Sequence, residues 1–185
     1  MEIIKTYKTT DWSGGKTTEM YIYPKDCSYN ERNFDFRISS ATIEVEESEF
    51  TDLIGYRRLL TILDGELDLK INDKPVFKLK EDVPFYFLGS DKVTARGKVR
   101  DFNVIFSPKY NIEWSLINKD EVREIKSNEV YVIYFLVKGE VKINDQLIKD
   151  NELIVIDKNE KKELQHIIFS QMESRLYEVF IQLNN

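Results

Sequence analysis

Cysteine and histidine are nearly absent from this sequence, whose 185 residues include one of each, Cys27 and His166. A single cysteine excludes a disulfide framework, and no cluster of cysteines and histidines occurs at the spacing of metal ligands. Cys27 lies in the polar stretch P-K-D-C-S-Y-N without a neighbouring base, which favours an ordinary loop thiol over a nucleophile. A lone histidine is more often a surface or hydrogen-bonded residue than a ligand. We therefore predict a protein without a metal and without a cofactor.

Positive charge is outnumbered by negative charge, with 27 lysines and arginines against 33 acidic residues and a net charge of -6. Nucleic-acid binding needs a basic surface, so this balance argues against a nucleic-acid partner. No apolar run approaches the length of a membrane span, and the N-terminus M-E-I-I-K-T-Y-K lacks the apolar core of a secretion signal. The sequence predicts a cytoplasmic protein with no membrane partner.

The stretch D-W-S-G-G-K-T-T-E (residues 11–19) resembles the end of a phosphate-binding loop, but two features of that loop are missing. The motif G-x-x-x-x-G-K-[ST] requires a glycine at position 10, where this chain has Thr10. It also requires a following helix, whereas the residues M-Y-I-Y-P (20–24) favour a short strand. Nucleotide hydrolysis through this loop is therefore not expected.

Most of the chain alternates polar and apolar residues with period two, which predicts an all-β protein. Glycine, asparagine and aspartate separate the alternating segments at short intervals and predict tight turns. Residues 116–125 favour at most one or two helical turns. The strand candidates are residues 34–46, 58–63, 66–71, 85–88, 99–106, 129–137, 140–143, 152–156 and 176–183.

An internal repeat divides the chain. The segment L-D-G-E-L-D-L-K-I-N-D (63–73) is echoed by V-K-G-E-V-K-I-N-D (137–145), and each copy reads as a strand, a turn at glycine, a strand and a turn at Asn-Asp. Repeated hairpins of this length predict two β-barrel or jelly-roll units packed as one body, although a chance likeness between two turns is the alternative. We expect residues 1–110 to form the first unit and residues 111–185 a second, smaller one, into which the N-terminal strands can swap.

Two predicted strands have polar side chains at positions where a hydrophobic core would have apolar ones. In the strand around F-R-I-S-S-A, alternation sets Arg37, Ser39 and Ala41 on one face. In D-F-N-V-I-F, it sets Asp101 and Asn103 on one face. These faces can line a barrel interior with a guanidinium at its mouth. A purely structural pair of Arg37 with Asp101, closing one end of the barrel, is the alternative, because a buried charge needs a partner.

Together these segments resemble the HutD/Ves family of bicupin-like proteins. The matching motifs are W-S-G-G-K-T-T-E (12–19), R-I-S-S-A (37–41), F-T-D-L-I-G-Y-R-R-L-L-T-I-L-D-G (50–65), P-F-Y-F-L-G (84–89) and D-F-N-V (101–104). The resemblance implies a cytoplasmic protein of two cupin-like barrels without the usual cupin metal ligands. It also implies a link to histidine utilisation or environmental stress, and a regulatory role in sensing an intermediate such as formylglutamate.

Three functions follow as hypotheses. The first is a non-catalytic binder of a small carboxylate metabolite, monomeric or homodimeric, in which Arg37 holds the carboxylate and Asn103 and Thr17 fix its orientation. Arg58 also matches the family motif, with structural support of a glutamate or aspartate as the alternative. The second is a metal-independent isomerase or hydrolase with Glu19 or Asp101 as general base. The third is an interaction protein whose polar cluster only plugs a barrel. The candidate ligand-binding residues are Lys16, Thr17, Glu19, Arg37, Ser39, Arg58, Asp101 and Asn103.

Overall fold

Segments in which polar and apolar residues alternate form β-strands along most of the chain. The computed structural model describes residues 1–72, 74–125, 129–157, 164–171 and 173–184. Within those ranges it contains 19 strands and no helix, which confirms the predicted all-β class. It divides into two units: the first barrel, Tyr7–Pro108, and the second barrel, which combines Met1–Thr6 with Lys109–Asn185. The N-terminal strand β1 (Glu2–Ile4) belongs to the second barrel because it pairs with a strand near residue 155.

The first barrel is made of two antiparallel sheets with a shared core. The six-stranded sheet has the order β2-β3-β4-β11-β6-β9, and the four-stranded sheet has the order β5-β10-β7-β8. Leu60, Ile62, Leu67, Leu69 and Ala95 have no solvent-exposed area and come from both sheets. The strands are β2 (Lys8–Trp12), β3 (Gly15–Tyr23), β4 (Phe36–Ile43), β5 (Glu47–Glu49), β6 (Arg57–Asp64), β7 (Leu67–Ile71), β8 (Phe77–Leu79), β9 (Phe85–Leu88), β10 (Val93–Arg96) and β11 (Val99–Phe106).

The second barrel repeats this plan with a five-stranded and a four-stranded sheet. Their orders are β1-β17-β14-β19-β12 and β13-β18-β15-β16. The fully buried side chains of Val132, Leu136, Val141, Ile143 and Leu176 form its centre. The strands are β12 (Tyr110–Ile117), β13 (Glu121–Glu124), β14 (Glu129–Lys138), β15 (Glu140–Ile143), β16 (Gln146–Lys149), β17 (Leu153–Asp157), β18 (Leu164–Phe169) and β19 (Arg175–Leu183).

The sequence repeat corresponds to the same turn chemistry in both barrels. Gly65 and Gly139 both adopt left-handed backbone angles, with φ of 92° and 103°. Asn72 and Asn144 follow at φ of 51° and 53°, and their side-chain oxygens accept the backbone N–H of Lys92, just before β10, and of His166 in β18. Asparagine tolerates this conformation better than most residues. The repeat is thus a structural repeat; Asp73, at the end of its first copy, lies outside the described residues.

The helical turns expected at residues 116–125 are not present. This segment forms the end of β12 and all of β13. β12 pairs along its whole length with β19, and this cross-strand pairing overrides a weak local preference. In the described part of the chain there is accordingly no helix of the length and apolar character needed to cross a bilayer.

Candidate functional site

A cavity of about 430 Å³ opens inside the first barrel. The strands of the six-stranded sheet supply its floor, and the segments 29–30 and 49–51 supply its walls. Its lining residues are Thr10, Trp12, Thr17, Tyr29, Asn30, Arg37, Ser39, Ala41, Ile43, Glu49, Phe50, Thr51, Arg58, Asp101, Asn103 and Ile105.

The strand register arranges the cavity floor in three rows across β4, β11 and β6. Side chains two residues apart share a face, so successive rows are about 7 Å apart along the strands. We call them the arginine row, the amide row and the carboxylate row. They consist of Arg37, Ile105 and Arg58; of Ser39, Asn103 and Leu60; and of Ala41, Asp101 and Ile62.

Arg37 is held by partners within the protein. Its Nε donates to Glu19 Oε2 at 2.7 Å, and its Nη1 donates to Ser39 Oγ at 3.2 Å. Its guanidinium also lies 4.4 Å from the ring centroid of Tyr29. The carboxylate that neutralises Arg37 is therefore Glu19 on the neighbouring strand β3, and the pairing with Asp101 considered from the sequence does not form.

Arg58 is buried without a carboxylate. The residue is 7% exposed, and its guanidinium lies 4.7 Å from the ring centroid of Phe50 and 5.1 Å from that of Phe87. Its Nη1 makes one long hydrogen bond, 3.5 Å, to the carbonyl of Thr51, and its Nε has no hydrogen-bond partner among the described residues. Burial lowers the pKa of Arg58 to about 10, so the group stays cationic at neutral pH. Because the two ring centroids are only 6.1 Å apart, both rings pack on one side of the guanidinium, and its N–H groups are left for an acceptor.

Asp101 is a buried carboxyl group at the other end of the floor. The residue is 2% exposed, and its Oδ1 accepts a hydrogen bond of 2.9 Å from the backbone N–H of Ala41. Burial raises the pKa of Asp101 to about 6, against the opposing effects of this hydrogen bond and of the nearby arginines. Between the two ends, Asn103 presents a buried side-chain oxygen that has no partner in the described structure. The same cavity therefore contains a carboxyl group whose pKa is close to neutral pH and an amide oxygen that has no hydrogen-bond donor among the described residues.

Most of the candidate residues from the sequence meet at this cavity. Six of the eight line it, and a seventh, Glu19, contacts it through Arg37. Lys16 does not: its side chain is 58% exposed and its Nζ lies 3.9 Å from Asp11 Oδ1. The cavity residues that sequence reasoning overlooked include Tyr29, Glu49 and Phe50. Glu49 belongs to an acidic run that reads as a solvated strand end, and the aromatic contacts of the two arginines have no sequence signature.

The segment that resembles a phosphate loop is the tight hairpin between β2 and β3. Gly15, Lys16 and Thr17 lie in β3, so no helix follows them and no phosphate cradle is formed. Gly15 has φ of 152°, and a Cβ at this position would collide with the carbonyl oxygen of Thr42. Glycine is needed there for close backbone approach. The hairpin brings Trp12 and Thr17 to the cavity.

The second barrel contains a different buried polar cluster, in which the charges find partners. Glu178 has no exposed area, and its Oε2 accepts a hydrogen bond of 2.8 Å from Ser115 Oγ. Arg123 reaches the same oxygen at 3.3 Å and lies 2.8 Å from Glu121 Oε1. Burial raises the pKa of Glu178, while Ser115 and Arg123 oppose that rise. This guanidinium thus lies between two carboxylates.

The model of the HutD family matches residues 4–170, which is most of the chain. The chain belongs to the HutD family. A relative from Pseudomonas putida, a 21.2 kDa protein of the hutC 3′ region, is 28% identical over 146 residues, which are 75% of this chain and 73% of the relative. This confirms the family resemblance seen in the sequence.

Solved structures of relatives share the whole fold of this HutD-family chain. HutD from Pseudomonas fluorescens SBW25 superposes with a TM-score of 0.84 at 23% identity, covering 100% of this chain and 99% of the other. The bacterial pirin YhhW from Escherichia coli, solved with nickel(II), superposes with a TM-score of 0.71 at 12% identity and covers 99% of each chain. The predicted fold of two cupin-like barrels is confirmed.

The pirin structure contains nickel(II), but the side chains of the cavity in this chain do not fit such a metal. A transition-metal site needs three or four converging nitrogen, sulfur or oxygen ligands. No group of three or more histidine, cysteine, aspartate or glutamate side chains suited to a metal occurs within the described ranges. His166 is exposed on β18 of the second barrel, and two guanidinium groups line the cavity itself. A cation there would be repelled by Arg58.

Proposed function

We propose that this HutD-family protein is a cytoplasmic, non-catalytic binder of a small carboxylate metabolite, and that Arg58 is the group that binds the carboxylate. Binding would serve a regulatory role in histidine utilisation or in a stress response. The relative in the hutC region supports the first of these settings.

The observation that carries the proposal is the state of Arg58. A buried charge without a partner is costly, and an arginine in that state is normally neutralised by an acid. Arg58 is buried, cationic and faces a cavity, yet no carboxylate among the described residues bonds to it. A ligand carboxylate would supply that missing charge.

Carboxylate suits this site better than other anions for a geometric reason. A planar guanidinium can donate two parallel N–H bonds to a carboxylate. The rings of Phe50 and Phe87 pack against one side of the Arg58 guanidinium and exclude water from that side. A multiply charged phosphate would need more than one uncompensated cation, whereas Arg37 is already neutralised by Glu19.

Thermal shift with a panel of carboxylates tests the proposal. Wild type, Arg58→Met and Lys16→Met are each melted with pentanoate, glutamate, formylglutamate and urocanate. A ligand at a hundred times its dissociation constant adds roughly 2.7 kcal/mol, which is a shift of several degrees for a protein of this size. We expect a shift in wild type and in Lys16→Met, whose exposed charge lies outside the cavity. Arg58→Met should show none; a shift retained in this variant would remove Arg58 from the site.

A second candidate function is a metal-independent enzyme that uses Asp101 as general base. The observation in its favour is the raised pKa of Asp101, which is close to the range useful for proton transfer at neutral pH. Glu19 is less suited because its carboxylate is bonded to Arg37 at 2.7 Å. Turnover of a bound carboxylate in metal-free buffer, lost in Asp101→Asn while binding persists, would favour the enzyme. Binding without turnover of any panel member would favour the binder.

A further inference from the structure

The floor of the first-barrel cavity is electrically asymmetric along the strands. The arginine row lies at one end and the carboxylate row at the other, with the amide row between them. Two row spacings separate the ends by roughly 14 Å along the backbone. The long Arg58 side chain and the short Asp101 side chain both face the space between these ends. A ligand on this floor therefore meets a cation at one end and an acid at the other.

The charges around the cavity leave room for one ligand carboxylate. Arg37 is neutralised by Glu19, so Arg58 is the lining cation without a bonded acid among the described residues, and Asp101 acts on it only through space. Glu49 adds a second acid to the cavity wall. A second carboxylate on the ligand would find repulsion from these acids and no unused guanidinium charge.

We infer that the ligand is dipolar, with a carboxylate that binds Arg58 and an amino group or other N–H donor that binds toward Asp101. This inference rests on the proposed carboxylate site and adds the chemistry of the ligand's other end. The open side-chain oxygen of Asn103 lies in the row between the two ends and can accept a second N–H. Such a ligand satisfies the buried cation, the buried acid and the buried acceptor together.

Three probes of equal carbon number separate the alternatives. Each has five carbons and a carboxylate at one end, and they differ only at the far end: 5-aminopentanoate carries an ammonium, pentanoate a methyl and glutarate a second carboxylate. Affinities are measured by calorimetry at pH 8, where Asp101 is ionised because its pKa is about 6. We expect 5-aminopentanoate to bind roughly tenfold or more tightly than pentanoate, since a hydrogen bond between charged groups has about that effect. Glutarate should bind most weakly.

The variant Asp101→Asn tests whether Asp101 determines the order of affinities among the three probes. The amide keeps an oxygen that can accept the Ala41 hydrogen bond while the charge is removed, so the fold should persist, and a melting curve checks this. In this variant the advantage of 5-aminopentanoate over pentanoate should disappear, and glutarate should gain. Glu173→Gln is the matched control: it removes one negative charge at a side chain that is 86% exposed in the second barrel. It should leave the order unchanged.

The outcomes distinguish this inference from the proposed function. Equal affinity for all three probes, or tightest binding of glutarate, would overturn the dipolar ligand while leaving a carboxylate site at Arg58. An order that survives Asp101→Asn would also overturn it. Failure of every probe to bind, with the same result for the wider carboxylate panel, would overturn the carboxylate site itself.

Discussion

The two barrels differ in how the guanidinium of a polar cluster is neutralised. In the second barrel, Arg123 lies between Glu121 and Glu178, at 2.8 Å and 3.3 Å from their oxygens. In the first barrel, Arg58 is more deeply buried and contacts two aromatic rings and one carbonyl, with no acid bonded to it among the described residues. The same residue type is thus neutralised in one barrel and left uncompensated in the other.

This difference separates a structural cluster from a binding site. When all charges are paired within the chain, the cluster stabilises its own barrel and needs nothing from outside. When a buried cation faces a cavity and has no acid bonded to it, a ligand can supply the missing negative charge. A matched pair of substitutions, arginine to methionine in each barrel, makes the comparison experimental.

Arg123→Met should have the largest effect on stability. It leaves the fully buried Glu178 without its cation, and breaking a buried ion pair on one side costs about 3 kcal/mol at the lower end of the usual range. The lower end applies because the Arg123 side chain is itself 34% exposed. Denaturant unfolding of the variant measures the loss. A variant as stable as wild type would show that the second-barrel cluster is not a structural pair.

Asp101→Asn should stabilise the ligand-free protein at alkaline pH. Because burial raises the folded pKa from 3.8 to about 6, the charged form is disfavoured in the folded state. The contribution of Asp101 to wild-type stability should therefore increase as the pH falls from 7 to 4, by about 3 kcal/mol at most.

The asparagine variant lacks this titration, so its advantage should be full at pH 8 and absent below pH 4. Chemical denaturation at both pH values measures the difference. An advantage that does not depend on pH would show that the Asp101 carboxyl is not the group responsible.

Arg58→Met should have the smallest effect on stability and the largest effect on ligand binding. It replaces an uncompensated buried cation by an apolar side chain of similar length, a change that is often neutral or stabilising. We expect its free energy of unfolding to lie within about 1 kcal/mol of the wild-type value, or slightly above it, because no ion pair is broken. Unfolding of the ligand-free variant checks this. A loss as large as that of Arg123→Met would mean that Arg58 is part of the scaffold.

The sequence predicts the floor of the site better than its walls. Period-two alternation places Arg37 and Ser39 on one face of β4, and Asp101 and Asn103 on one face of β11, as the structure has them. These are local properties of single strands. The partners of the arginines are not local: Glu19 reaches Arg37 through the register of β3 on β4, which shifts between Glu19 and Tyr21.

The same limit explains why the sequence favoured Arg37 over Arg58 as the carboxylate-binding residue. Both arginines lie in matching motifs, and their difference depends on which acids the strand register brings near. Phe50 precedes Arg58 by eight residues and covers its guanidinium only after the chain turns back into the sheet. No residue spacing encodes that contact. The fold class, in contrast, follows from alternation and turn residues along the chain.

The most direct test of the account is a proton–nitrogen NMR titration that follows the Nε–H groups of the arginine side chains. The protein is titrated with 5-aminopentanoate, and the signals are assigned with Arg58→Lys and Arg37→Lys. We predict that the Arg58 Nε–H signal, which has no acceptor in the ligand-free structure, shifts strongly, while that of Arg37, bonded to Glu19, moves little. A large shift of Arg37 with an unchanged Arg58 would contradict the account.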